Sequence, residues 1–277
     1  MSEFERNRLA VLGSPIGHSR SPVIHRAAYE VLGLAWTYEA VEMTGERLAA
    51  FVAGCGPEWR GLSLTMPLKR DILPLLSERA GLVDVVGGAN TVLFTDRGLY
   101  GFNTDVVGVV RALRDAGLTA AHTAHLLGAG ATAASVIAAL AELGVEIVTV
   151  AARVPEKAQP LVGLGNGLGV AVVVRDYGWQ PDREPDVVVS TVPGGAEVPE
   201  FSAALRAHAV LLDVAYDPWP SALARVWGEA GGRVASGLDM LVHQAIGQIR
   251  VFLHGDPNVP LPDETLVLAA MRSAVAS

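Results

Sequence analysis

Cysteine is nearly absent: Cys55 is the only one in 277 residues. One thiol excludes an intrachain disulfide and a thiolate metal cluster, and it fits a reducing, cytoplasmic setting. Set between two glycines, Cys55 reads as a small apolar residue, with no partner pattern that would make it a nucleophile. Clustered positive charge is also missing. The formal net charge is −8 and the basic residues are scattered, whereas a nucleic acid or an anionic membrane would need a basic stripe. Long apolar runs are lacking too. The longest uncharged one starts at Leu126 and is broken by Gly128, Gly130, Thr132 and Ser135 before Glu142, which suits a strand, turn and helix better than a membrane span. The opening MSEFERNRLA is charged where a signal core would be apolar, so export is not expected. No internal repeat or low-complexity linker is present.

What is there points to a filled interior. Hydrophobic residues make up 51% and charged residues only 18%, which suits a soluble globular protein and argues against disorder. A chain of this length favours two domains over one.

Periodicity divides the first hundred residues into strands at LAVLG, WTYEAVEM and GLSLTMP, and helices at SPVIHRAAYEVLGL and GERLAAFVAG. Ser21 is expected as N-cap of the first helix and Pro22 as its first residue. ANTVLFTDRGLYGFN reads as a hairpin about Asp-Arg-Gly. After Asn103 a helix runs to about Ala116. Strand AHLL, a glycine-rich turn, a helix and strand EIVTVAAR then form one βαβ unit. The valine-rich runs AVVVRD, DVVVSTVP and VLLDVAY, with RVASG last, are typical of strands buried on both faces of a parallel sheet. GLGNGLG is expected to be a loop. GLDMLVHQAIGQIRVFL and the tail from Asp263 return to helical spacing. The expected class is α/β with some antiparallel content.

Gly128-Ala129-Gly130-Ala131-Thr132-Ala133 places G-x-G-x-x-A between a strand and a helix. The first glycine permits the tight turn, the second lets backbone approach a pyrophosphate, and the small third residue lets helix and strand pack. The helix N-terminus then favours phosphate. An NAD enzyme would usually place Asp or Glu at the end of the next strand. Here stand Ala151, Ala152 and Arg153, with Lys157 four residues on, two cations suited to the 2′-phosphate of NADP.

Polar groups also gather in the first half: Ser19 and Ser21 ahead of a helix, Thr65 and Lys69 after a strand, then Asn90, Asn103, Thr104 and Asp105. Singly, each has an ordinary reading as cap, turn former or solvated charge. Together, HSRSP, LTMPLK, GGANT, NTD and GLDMLVHQA, in this order around the glycine-rich turn, resemble the motifs of the shikimate dehydrogenase family over nearly the whole chain.

The resemblance implies an N-terminal substrate domain with a mixed sheet, residues 1–105, completed by helices at 238–277 that return to it, and a Rossmann-type NADP-binding domain at 106–237. It implies NADPH-dependent, reversible reduction of 3-dehydroshikimate to shikimate in aromatic amino-acid biosynthesis. Lys69 and Asp105 match the catalytic pair. Ser19 and Ser21 match the carboxylate loop, with Tyr216 nearby, and Thr65, Asn90 and Gln244 match ligands of the ring hydroxyls. Gly128, Ala129, Gly130, Ala131, Ala152, Arg153 and Lys157 fall in the cofactor segments, and Ser190 and Gly237 at the nicotinamide end. Three departures stand out: Ser63 where the family usually has Asn, Ala152-Arg153-Val154 in place of N-R-T/S, and Ala131 in place of a frequent glycine. An NAD-dependent quinate/shikimate dehydrogenase, an aminoshikimate dehydrogenase and a non-catalytic NADP-binding module are the rival readings. The expected state is a cytoplasmic monomer or homodimer acting on a small molecule. No metal is expected, since His18, His25 and His243 lack ligand spacing.

Overall fold

The computed structural model describes residues 6–181 and 183–276. They form two compact units, one holding the chain up to Thr104 together with Val242 onward, the other Asp105–Leu241.

In the first unit the chain runs through β1 (Arg8–Gly13), α1 (Ser21–Leu32), β2 (Thr37–Glu42), α2 (Gly45–Ala53), β3 (Trp59–Leu64), β4 (Glu78–Arg79), α3 (Gly81–Val86), β5 (Thr91–Thr95) and β6 (Gly98–Phe102). The sheet order is β2-β1-β3-β5-β6-β4. β1 lies parallel to β2 and β3, whereas β5 pairs antiparallel with β3 and β6. The sheet is therefore mixed, with the expected hairpin inside it. Ala10, Leu12, Leu48, Leu62, Leu68 and Val92 are fully or almost fully buried in its core.

One expectation is corrected at α1. Ser21 is the first helical residue, not the N-cap; Arg20 takes the cap position and makes no side-chain cap bond. Pro22 in the first turn has no N–H to satisfy there, and the hydroxyl of Ser19 accepts the Ser21 N–H at 3.4 Å. β4 and α3, too short to show a period, were not visible in the sequence.

The second unit contains α4 (Asp105–Asp115), β7 (Thr123–Leu127), α5 (Ala131–Glu142), β8 (Ile147–Ala152), α6 (Gln159–Gly167), β9 (Ala171–Asp176), β10 (Val187–Ser190), α7 (Ala203–His208), β11 (Val210–Asp213), α8 (Ala222–Glu229) and β12 (Val234–Ser236). All its strand pairs are parallel, in the order β12-β11-β10-β7-β8-β9. Numbered within the unit this is the 3-2-1-4-5-6 arrangement of a doubly wound dinucleotide-binding fold, whose switch point lies between β7 and β10. Both β10 and β11 are buried along their whole length, which is why they read as valine and leucine up to the polar residue, Ser190 or Asp213, that ends each.

The glycine-rich segment expected as a loop is mostly helix, since α6 continues through Gly167. One of its glycines, Gly165, serves close packing. A Cβ at Gly165 would sit 2.3 Å from Val172 Cγ2 and 2.7 Å from the Val170 carbonyl, so only a bare backbone lets α6 lie this close to β9.

Two helices end the chain, α9 (Gly237–His254) and α10 (Glu264–Ala276). From Val242 onward their residues belong to the first unit. There Phe252 fills the space beside Gly61, where a Cβ would meet its ring at 2.4 Å. Arg250 grips Glu264 through two bonds of 2.8 and 2.5 Å, and α10 packs against α1. No helix among the described residues is long and apolar enough to cross a membrane.

Candidate active site

The residues expected at the cofactor in the glycine-rich turn and its neighbouring strands lie at the carboxyl ends of β7, β8 and β10. Gly128 leaves β7 with φ +101°, a conformation that side chains other than glycine's rarely tolerate, and a Cβ there would meet Thr191 Oγ1 at 2.6 Å. Its N–H donates to the Ala151 carbonyl at 2.9 Å, locking the turn onto β8. Gly130 caps α5 with extended backbone and no side-chain hydrogen bond, and a Cβ on it would meet nothing within 4 Å. The approach to the helix N-terminus is thus open, and its first turn carries no acid. Ala133, the third small residue, is fully buried against the sheet.

At the end of β8, Ala152 is buried, while Arg153 and Lys157 are exposed; Lys157 sits in a short 3-10 turn, Pro155–Ala158. An open glycine turn, a helix N-terminus with no side-chain cap and two exposed cations beyond the second strand fit a dinucleotide with an additional phosphate. Ser190 ends β10 and is buried beside Asp213. Burial pushes the Asp213 carboxyl above its usual range, against the pull of bonds from Ser221 and the Ala215 N–H. The Ser221 hydroxyl donates to it at 2.6 Å. Asp213 thereby anchors both ends of the segment that carries Tyr216. Gly237 opens α9 against the exit of β11, where a Cβ would lie 2.2 Å from the Val214 carbonyl.

The first unit holds the other group of polar residues. Ser19 and Ser21 lie at the start of α1, in a loop tied to the end of β2: Glu42 accepts the Ile16 N–H at 2.9 Å. Hydrogen bonds from Ser14 and Ile16 hold the Glu42 carboxyl below its usual range. Thr65 follows β3 and donates its N–H to Leu12 at 2.9 Å. The Lys69 carbonyl accepts the Ala89 N–H at 2.8 Å, and Asn103 Nδ2 donates to Gly88 at 3.0 Å, so the segments bearing Lys69, Asn90 and Thr104 are laced together.

Asn90 is the centre of this cluster and is 1% exposed. Its Oδ1 accepts from the Thr104 N–H at 2.8 Å and the Thr91 hydroxyl at 2.9 Å. Its Nδ2 donates to Thr104 Oγ1 at 2.9 Å and to Gln244 Oε1 at 3.2 Å. Asn90 and Gln244, 154 residues apart, are thus in direct contact. Asp105 and Tyr216 belong to the second unit, where Asp105 is the buried first residue of α4 and Tyr216 is half-buried.

Behind the cluster lies a buried chain that sequence reading missed. Tyr38 donates to Ser63 at 2.7 Å, Ser63 donates to Gln248 Oε1 at 3.0 Å, and Gln248 Nε2 donates to the Asn90 carbonyl at 3.2 Å. His25 stacks on Tyr38 with ring centroids 3.8 Å apart and reaches Gln248 with Nε2. The available signal was Gln248 itself, a polar residue four positions after Gln244 on an otherwise apolar helix face. Among the described residues no group of three or more His, Cys, Asp or Glu side chains is placed to hold a metal ion.

Fold and site together define an α/β protein with a mixed-sheet unit, rich in hydrogen-bonding side chains, and a doubly wound unit built for a dinucleotide. Residues 11–92 match the model of the shikimate dehydrogenase substrate binding domain. A shikimate dehydrogenase (NADP(+)) from Moorella thermoacetica is 34% identical over 270 residues, 93% of this chain and 92% of the relative. The shikimate dehydrogenase of Mycobacterium tuberculosis is 43% identical and superposes with a TM-score of 0.82 over 96% of this chain and 99% of the other. Shikimate 5-dehydrogenase from Thermus thermophilus, solved with NADP(H) and shikimate, is 32% identical with a TM-score of 0.78, covering 97% and 99%. The chain belongs to the shikimate dehydrogenase family.

Proposed function

We propose that this protein is an NADP-dependent shikimate dehydrogenase, catalysing the reversible reduction of 3-dehydroshikimate to shikimate, with Lys69 and Asp105 as its proton-handling pair. One observation supports this above the rest: similarity to a relative named for that activity spans 93% of this chain and 92% of the relative, so neither unit is missing. The unit completed by α9 and α10 binds the substrate, and Asp105–Leu241 binds the cofactor.

When bound, the nicotinamide supplies or accepts the hydride. Gly128, Ala129, Gly130 and Ala131 receive the pyrophosphate, with Ala152 beside them, Arg153 and Lys157 pair with the 2′-phosphate, and Ser190 and Gly237 line the nicotinamide end. Ser19 and Ser21, with Tyr216, hold the substrate carboxylate. Thr65, Asn90 and Gln244 position the ring hydroxyls. As negative charge develops on the C3 oxygen, the Lys69 ammonium stabilises it and delivers the proton, oriented by the Asp105 carboxylate; in the reverse direction the pair removes the hydroxyl proton. The same reading places the enzyme in the cytoplasm as a monomer or homodimer with a small-molecule substrate.

Lys69→Ala is expected to lower kcat by about 10²–10⁴-fold, the range of a general acid, while shikimate still binds. Steady-state kinetics beside equilibrium binding of shikimate test this. Turnover within a few-fold of wild type would remove Lys69 from the chemistry.

A further inference from the structure

The buried chain behind Asn90 has a direction and an end point. Gln248 is 2% exposed, and each polar atom of its carboxamide is engaged. Nε2 is committed to the Asn90 carbonyl at 3.2 Å, so Oε1 is the acceptor for Ser63 at 3.0 Å and for His25 Nε2 at 3.2 Å. His25 must then carry its proton on Nε2 and accept the Tyr29 hydroxyl at Nδ1, 3.0 Å away. Burial lowers the His25 pKa to about 3, so this neutral tautomer persists at every pH of ordinary use. Tyr38 donates to Ser63. The chain therefore runs from Tyr38 through Ser63 and Gln248 to Asn90. Ser63, the shortened position of the substrate motif, spends its hydroxyl on this chain and is 2% exposed.

Gln244 and Gln248 stand one helical turn apart on the same face of α9. Gln244 holds the Asn90 side chain at Nδ2, and Gln248 holds its main-chain carbonyl. Beside the main-chain bonds of Asn90 to Leu64 and Phe102, these two attachments tie both its backbone and its carboxamide to α9.

We propose that Gln248 is a positioning residue for substrate binding, which, braced by Tyr38 and Ser63, sets the orientation of Asn90 and through it of Gln244. The inference rests on the substrate reading given above. Gln248 touches no reacting atom and acts only through those two carboxamides. Methionine at this position keeps the volume but leaves the Ser63 and His25 donors without their acceptor and the Asn90 carbonyl with the Leu64 N–H alone, so residue 90 loses its main-chain tie to α9.

The test is Gln248→Met in the full-length enzyme, compared with Val251→Ala, which opens a cavity at a buried position of the same helix and removes no hydrogen-bonding group of the chain. The KM for shikimate is expected to rise about tenfold or more in Gln248→Met, the effect of one or two lost buried hydrogen bonds. The dissociation constant for NADP, followed by fluorescence quenching, is expected to stay within about twofold, because the cofactor residues are elsewhere in the chain. Val251→Ala is expected to lower the melting temperature with an unchanged shikimate KM. An unchanged shikimate KM in Gln248→Met overturns the proposal, as does an equal KM rise in Val251→Ala at a similar loss of melting temperature. Should Gln248→Met not fold, Tyr38→Phe and Ser63→Ala, each deleting one hydroxyl, are expected to raise that KM about threefold, and no change in either overturns it. Wild-type protein without shikimate turnover sinks the substrate reading itself, whereas active wild type with an unmoved Gln248→Met sinks only the role of Gln248.

Discussion

His125 sits on β7, 1% exposed, and neither ring nitrogen has a hydrogen-bond partner among the described residues. Its neighbours are aromatic, with Trp179 and Phe201 ring centroids 5.9 and 5.8 Å away. Burial pulls its pKa from 6.5 to about 4. The folded ring is therefore neutral where the unfolded chain would already be protonated. Stability from this group is intact above about pH 6.5 and is lost as pH falls through 6.5 toward 4. His25 adds to the same slope, with its value lowered to about 3. His125→Phe removes two unsatisfied nitrogens while keeping a ring, and is expected to stabilise the fold by about 1 kcal/mol at pH 7. That advantage should grow by about 2 kcal/mol at pH 5, from the proton the unfolded wild type binds there. Urea unfolding at the two pH values measures both; an advantage that does not grow on acidification would contradict the burial account of His125.

At the scale of elements, two glycines with opposite surroundings separate packing from binding. Gly237 lies against the main chain of Val214, with a Cβ placed 2.2 Å from its carbonyl oxygen. Gly237→Ala must displace the start of α9 and should cost about 1–3 kcal/mol, the range for overpacking. Gly130 has nothing within 4 Å of a built Cβ and a negative φ of −79°. Gly130→Ala should leave the melting temperature nearly unchanged and raise the KM for NADP, because the added methyl stands where backbone is to approach the pyrophosphate. A large loss of stability in Gly130→Ala, or an unchanged NADP KM, would contradict that role. Arg153→Ala is likewise expected to raise the KM for NADP far more than that for shikimate, and an unchanged NADP KM would remove Arg153 from the phosphate site. These elements also mark what was legible. Strands buried on both faces, such as β10 and β11, and the strand-turn-helix around Gly128 stand out because burial and turn geometry leave their own residue patterns. α3, α7 and α8 are six to eight residues long, too short for a helical period to emerge. α6 was misread because local propensity argues against glycine in a helix, whereas its contact with β9 decides the matter. Asn90 and Gln244 were legible as motif residues; the chain through Tyr38, Ser63 and Gln248 was not, because it joins residues up to 185 positions apart that only the folded sheet and α9 bring together.

At the scale of the whole molecule, the two units differ in how the chain builds them. Asp105–Leu241 is continuous and has a complete six-stranded sheet with its own core around Leu127, Val188, Leu211 and Trp227. Expressed alone, it is expected to fold cooperatively and to bind NADP. The first unit is assembled from both ends of the sequence, so residues 1–104 alone would lack Gln244, Gln248, Phe252 and α10 and are expected to be largely unfolded. Circular dichroism and thermal melts of the two fragments check this, and a cooperative melt of 1–104 by itself would contradict it.

The central claim, a shikimate dehydrogenase that uses NADP, is tested most directly by steady-state oxidation of shikimate with NADP and with NAD, read as the absorbance of the reduced cofactor. Turnover with shikimate is predicted, with kcat/KM at least about tenfold higher for NADP than for NAD, the equivalent of about 1.4 kcal/mol from Arg153 and Lys157. No reduction of either cofactor by shikimate, or a preference for NAD, would contradict it.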